Sequence, residues 1–128
     1  MKKSVLFDCL LIANTTLNRH EDQFKHFSFI ISNNKIVASG KNRYTLHSKV
    51  RGYPSNAKIH SECSALRRAK INSKKNKLEF SIVNIRINRY GEFRRSKPCS
   101  CCEFYLRLFG CREVWYTTYQ GFERMRLR

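Results

Sequence analysis

The sequence predicts an α/β fold: a three-layer α/β/α sandwich in which helices cover both faces of a mixed sheet of about five strands. Three observations predict it. Runs with helical spacing alternate along the chain with short β-rich runs. The most apolar of the β-rich runs, residues 80–88, puts Val83, Ile85 and Ile87 on one face and Ile82 on the other. Such two-sided apolarity belongs to a central strand covered from above and below. A length of 128 residues makes one domain, residues 1–128, large enough for its own core.

Residues 4–18 place Val5, Leu6, Cys9, Ile12, Ala13 and Leu17 on one broad helical stripe, so this helix packs on the sheet. Met1-Lys2-Lys3-Ser4 followed by an apolar run to Ala13 imitates a secretory signal. Asp8 interrupts that run and no clear small-x-small cleavage site follows, so an amphipathic helix is the better reading. No segment approaches the roughly 20 apolar residues of a membrane span, and no membrane partner is expected. The polar stretch Asn18 to Asp22 ends the helix. Residues 27–32 and 35–39 read as strands joined by Asn33-Asn34, two residues that tolerate the positive φ of a tight hairpin turn. Phe27, Phe29 and Ile31 are core positions.

Residues 40–58 read as one long loop with no acid and five Lys or Arg, interleaved with Tyr44, His47 and Tyr53. A loop of that length in a compact domain is functional or disordered. Basic residues between aromatics suit phosphate contact and base stacking. Lys41, Arg43, Arg51 and Lys58 are its candidate nucleic-acid contacts, and Tyr44 its candidate substrate contact. A helix follows over 59–71, with Cys63, Leu66 and Ala69 or Lys70 in register and Arg67, Arg68 and Lys70 on a solvated face. Ser73 to Lys77 is a basic connector. After strand 80–88, Tyr90-Gly91 turns the chain, and Arg94, Arg95 and Lys97 add a second basic cluster. A third helix runs from Cys99 to Phe109, with Cys102, Tyr105, Leu106 and Phe109 inward and Gly110 closing it. Residues 113–118 form a strand, Tyr119-Gln120-Gly121 a turn, and 122–127 a return strand. In that last strand Arg124, Arg126 and Arg128 alternate with Met125 and Leu127. No internal repeat occurs.

Two stretches carry chemistry. His60-Ser61-Glu62 opens the second helix and Pro98-Cys99-Ser100-Cys101-Cys102 opens the third. Residues i and i+3 share a helix face, so Cys99 and Cys102 reach one metal. Cys101 is turned about 100° from Cys102 and is expected to be a core thiol. Pro98 suits the first turn of a helix, where no backbone donor is lost, and a helix N-terminus favours thiolates. A Cys-x-x-Cys alone could be a redox pair or half of a four-ligand structural zinc site. Together the stretches match H-x-E…P-C-x-x-C, the pattern of zinc deaminases acting on cytosine or adenine rings. His60, Cys99 and Cys102 are then three ligands for Zn²⁺, leaving a fourth position for water, and Glu62 is an acid/base and not a ligand.

On these residues the sequence resembles the cytidine and deoxycytidylate deaminase superfamily. The stretch from Ile85-Arg86-Ile87 through Lys97-Pro98-Cys99 to Val114-Trp115-Tyr116 is most similar to the small single-domain deaminases of large DNA viruses and phages. The resemblance covers roughly residues 27–127, and its specificity lies in the two motifs. It implies hydrolysis of cytosine to uracil with release of ammonia, catalysed by Glu62 beside Zn²⁺. It places Asn42 at the sugar, and Ser61 and Pro98 beside the substrate. Ser61 stands where the family most often has Ala; the two are nearly isosteric, the backbone is what matters there, and little effect is expected. The resemblance also implies that the last two strands are antiparallel, as in the free-cytidine branch, and that copies of the chain can assemble into a homo-oligomer.

Lys and Arg total 26 against 9 Asp and Glu, a net charge of +17. Such a field attracts polyanions. Genome bias toward Lys, Asn and Ile would raise the charge too, but Arg supplies more than half of the basic residues. Single-stranded DNA or RNA containing cytosine is therefore the first expected substrate. Free cytidine, deoxycytidine or dCMP is the second, and a non-catalytic nucleic-acid-binding module with a structural zinc the third. Three of the six cysteines crowd into 99–102, which favours metal binding over disulfides and a reducing, cytoplasmic location.

Overall fold

A computed structural model describes residues 1–16, 24–44, 58–69 and 79–127. Helix α1 (Lys3–Thr16) buries Val5, Cys9 and Ala13, the i, i+4, i+8 line of one face. Ile12, expected on this stripe, is 38 % exposed: the sheet covers a narrower line of the helix than the sequence pattern allows. Strands β1 (Phe24–Ser32) and β2 (Lys35–Lys41) form the expected hairpin, with Asn33 at φ 52 and Asn34 at φ 58 in the turn.

The long loop expected over 40–58 is shorter at both ends. β2 continues to Lys41, and β3 (Arg43–Tyr44) pairs antiparallel with β4 (Lys58–Ile59), Arg43 opposite Ile59. Residues 45–57 lie outside the described residues, as do Leu17, the stretch 18–22, Lys70, the basic connector and Arg128. Because Ile59 belongs to β4 and His60 is extended at φ −71, ψ 154, helix α2 (Ser61–Arg68) starts two residues later than the sequence suggests.

The chain then forms β5 (Phe80–Asn88), the short β6 (Phe93–Arg94), α3 (Ser100–Leu108), β7 (Cys111–Thr118) and β8 (Gly121–Arg126). The sheet order is β2-β1-β5-β7-β8, with β6 paired to the end of β5. β5 and β7 are parallel, and the other pairs, including β7 with β8, are antiparallel. A parallel pair needs a crossover, which α3 supplies. Val83, Ile85 and Ile87 pack with Val5, Cys9, Ala13, Phe27, Phe29 and Ile31 under α1. Ile82 joins Ile30, Ala65, Leu66, Leu106 and Val114 under α2 and α3. β5 is thus the central strand covered on both faces. Among the described residues no helix is long and apolar enough to cross a membrane.

One close approach sets α2 against the sheet. A Cβ at Gly40 would lie against Ala65 N and 2.7 Å from the carbonyl carbon of Ser64. Both are backbone atoms that cannot swing aside. Gly40→Ala is expected to lower stability by about 1–3 kcal/mol, read as a lower midpoint in urea unfolding; an unchanged midpoint would contradict this contact.

Cys101, expected in the core, is exposed. α3 turns Cys102 and Leu106 inward, and the residue one step earlier faces solvent. Cys9 is fully buried; burial first, then the charge of Asp8, pushes its thiol up to about 12. An alkylating reagent at mildly alkaline pH should modify Cys101 in the folded protein and reach Cys9 only in denaturant, as peptide mass spectrometry would read. Labelling of Cys9 without denaturant would contradict the packing of α1.

Candidate active site

The two motifs meet because each spans a helix start. His60 is the N-cap residue of α2 and makes no side-chain cap; its ring turns instead toward α3. Cys99 is the N-cap residue of α3, and its sulfur accepts from Cys102 N at 3.5 Å. Nδ1 of His60 lies 3.5 Å from Cys99 Sγ and 3.3 Å from Cys102 Sγ. The three donor atoms all fall within 4.8 Å of one another. In a tetrahedral zinc site, bonds of about 2.3 Å to sulfur and about 2.0–2.1 Å to nitrogen set S···N edges of roughly 3.5 Å. The triangle therefore fits zinc in donor chemistry and in size. Among the described residues no fourth His, Cys, Asp or Glu joins it.

Pro98 is buried but lies before the N-cap, outside α3 and not in its first turn. Cys99 takes the cap with extended φ −69, ψ 165, so the proline shapes the approach to the helix. A cleft of about 140 Å³ opens beside the triangle, lined by His26, Asn42, His60, Ser61, Glu62, Ser96, Lys97 and Cys99. Asn42 is held by two contacts with His26: its Oδ1 accepts from His26 N at 3.1 Å, and its N donates to His26 O at 3.2 Å.

Glu62 is 5 % exposed and sits in a buried polar network. Ser61 Oγ donates to Glu62 Oε1 at 3.1 Å, and Asn84 Nδ2 donates to Glu62 Oε2 at 3.1 Å. Asn84 Nδ2 also donates to Ser96 O at 3.2 Å. Ser28 Oγ lies 2.7 Å from both Ser61 Oγ and Asn84 Oδ1. Ser96 Oγ donates to Asn84 O at 2.9 Å, and Ser96 N donates to Thr117 O at 2.9 Å. Ser28, Asn84, Ser96 and Thr117 were not singled out from sequence. Asn84 gave little signal, being one of four polar residues in strand 80–88 beside Ser81, Arg86 and Asn88. The Ser61 hydroxyl is also more than a stand-in for a methyl group: it contacts the carboxyl directly.

The basic candidates divide. Lys97 is exposed and lines the cleft. Lys41 and Arg95 are exposed. Arg94 is half-buried, donates to Phe93 O at 2.9 Å and lies over the Tyr119 ring at 5.5 Å. Arg43, Tyr44 and Lys58 are placed by their backbone pairing alone, and Arg51 lies outside the described residues.

No family model and no curated protein matches the sequence. Solved structures do. Cytidine deaminase from Burkholderia pseudomallei matches with TM-score 0.62 at 17% identity, covering 99% of this chain and 94% of that one. Cytidine deaminase from Mycobacterium leprae gives 0.55 at 14%, covering 93% and 92%. The dCMP deaminase of cyanophage S-TIM5, in complex with dCMP and dUMP, gives 0.55 at 16%, covering 89% and 81%. At these identities the likeness is one of architecture: the chain has the mixed-sheet α/β fold of the cytidine and dCMP deaminases.

Proposed function

We propose that this chain is a zinc-dependent hydrolytic deaminase that converts cytosine to uracil and ammonia, acting on cytosine in single-stranded DNA or RNA. One observation carries the reading: the imidazole of His60 and the sulfurs of Cys99 and Cys102 converge beside a cleft that His60, Cys99 and Glu62 line. A structural zinc site is closed by four ligands and has no use for a carboxyl beside it. Zinc bound by these three residues supplies the Lewis acidity that readies water for attack on the amino-bearing ring carbon. Glu62 would take one proton of that water and pass it to the ring nitrogen, then take the proton of the hydroxyl group now on the ring carbon and pass it to the amino group, so that the carbonyl forms as ammonia leaves. Water and cytosine enter, uracil and ammonia leave, and Glu62 ends as it began. Asn42 Oδ1 is engaged with His26 N, which leaves its Nδ2 to donate to a sugar hydroxyl. Ser61 and Pro98 support the base side of the cleft in the same reading.

The polymer substrate is supported by the net charge of +17 and by the exposed cations Lys41, Arg95 and Lys97. Arg94 stacked on Tyr119 offers a flat cationic and aromatic surface for a neighbouring base. Arg43, Tyr44, Arg51 and Lys58 join this proposal through their place in the sequence. A second reading, free cytidine, deoxycytidine or dCMP, is favoured by the solved structures of similar fold, which are named cytidine and dCMP deaminases. A mononucleotide needs one or two cationic contacts and leaves most of the charge without a task.

The purified protein is expected to hold one zinc per chain. Glu62→Gln should keep that zinc and lose ammonia release by about 10²–10⁴-fold, read by metal analysis beside an ammonia assay. A zinc-loaded wild type that releases no ammonia from any cytosine compound would make the chain a binding module instead. On a cytosine-containing single-stranded oligomer, log affinity should fall with log salt by about 0.7 for each phosphate neutralised. Affinity indifferent to salt, with brisk turnover of cytidine or dCMP and none of the oligomer, would assign the small substrate.

A further inference from the structure

We infer that Asn84 is the positioning residue of the catalytic carboxyl, that Ser28 sets the orientation of Asn84, and that this pair holds the two halves of the site in register. The inference rests on the deaminase reading above. Asn84 lies in β5 and Ser28 in β1, directly opposite each other in the antiparallel pairing. Ser28 and Asn84 are 0 % and 2 % exposed. Ser28 takes the same sheet face as Ile30, and Asn84 the same face as Ile82, so both point toward α2. Two polar side chains in that layer cost stability unless both are satisfied.

The amide has one workable orientation. Its Nδ2 faces two groups that only accept, Glu62 Oε2 and the Ser96 carbonyl, while its Oδ1 faces the Ser28 hydroxyl. Flipping it would set oxygen against oxygen twice. Nδ2 therefore donates both its protons, one to the helix that carries His60 and Glu62 and the other to the segment that runs through Lys97 and Pro98 into Cys99. Ser96, at the far end, is itself locked to β7 through Thr117. With Ser61 on Oε1 and Asn84 on Oε2, both carboxyl oxygens are held, and the Glu62 side chain has little freedom to leave the cleft. A proton shuttle needs that fixity, because its rate depends on hydrogen-bond reach to the reacting atoms.

The test is steady-state kinetics on whichever cytosine substrate the wild type turns over, with metal content measured on every variant. Asn84→Ala should lower kcat by about 10–100-fold and change KM by less than about threefold, with zinc retained. Asn84→Asp keeps the shape and removes both donors, so it should fare no better. Ser28→Ala, which removes only a hydroxyl, should lower kcat in the same direction, and it carries the test if Asn84→Ala does not fold. Activity retained in Asn84→Asp would mean that the side chain only fills space, and would overturn the proposal. A readout independent of turnover is urea unfolding of Glu62→Ala, Asn84→Ala and the double variant. Non-additive midpoint shifts are expected, and additive shifts would overturn the coupling. Wild-type turnover that Asn84→Ala and Ser28→Ala leave untouched sinks the positioning role alone; a zinc-loaded wild type with no turnover sinks the deaminase reading and this role with it.

Discussion

The imidazole and the two sulfurs come together only where the first residues of α2 and α3 lie side by side. His60 caps one helix and Cys99 the other, 39 positions apart in the chain. Neither helix could hold the triangle alone. α2 rests on β1 and β2, and α3 supplies the crossover between the parallel strands β5 and β7. The sheet order β2-β1-β5-β7-β8 puts these supports next to one another, and Gly40 lets α2 come down against β2 without a side chain between them. A shift of one helix by an ångström would open the 3.3 and 3.5 Å edges of the triangle beyond what a single ion can span. Backbone packing at some distance from the cleft therefore decides whether the donors can act as one set.

How much of this was legible in the sequence follows from what each feature needs. Two donors that could share one metal at a helix start need a fixed local spacing, so Cys99 and Cys102 announce themselves, and His60-Ser61-Glu62 announces the partner helix. The central strand was legible too, because its burial on both faces demands apolar residues in both registers. Helix starts were less so: α2 begins at Ser61 because Ile59 is claimed by a strand pair with Arg43, a tertiary event with no local signature. Cys101 departs from its expected place in the core for a related reason. Its exposure follows from which line of α3 faces the sheet, and with three cysteines in four residues the composition alone does not choose among them.

The polar network was not legible, and its invisibility has a definite cause. Ser28 and Asn84 are 56 residues apart and meet through the pairing of β1 with β5. That register depends on the hairpin turn and on strand alternation summed over the whole sheet, and a slip of one residue would face both side chains the other way. Taken singly, a Ser in a strand or an Asn among isoleucines says nothing about a buried carboxyl on another element.

The contrast separates two kinds of constraint in one site. The identity of the donors is written in two short stretches, while their convergence depends on how the two helix starts are packed. The support for Glu62 is written in the sheet. A buried carboxyl in the apolar layer between α2 and β5 would be costly without partners, yet a water-exposed one could not be held still. The network resolves both demands at once: it satisfies the oxygens and fixes their position, with donors drawn from Ser61 and Asn84. In the proposed deaminase, the residues that make Glu62 tolerable inside the fold would also be the ones that make it useful there. A polar pair in the middle of this sheet is thus no defect in the core, because its partners include the carboxyl that the same core has to hold.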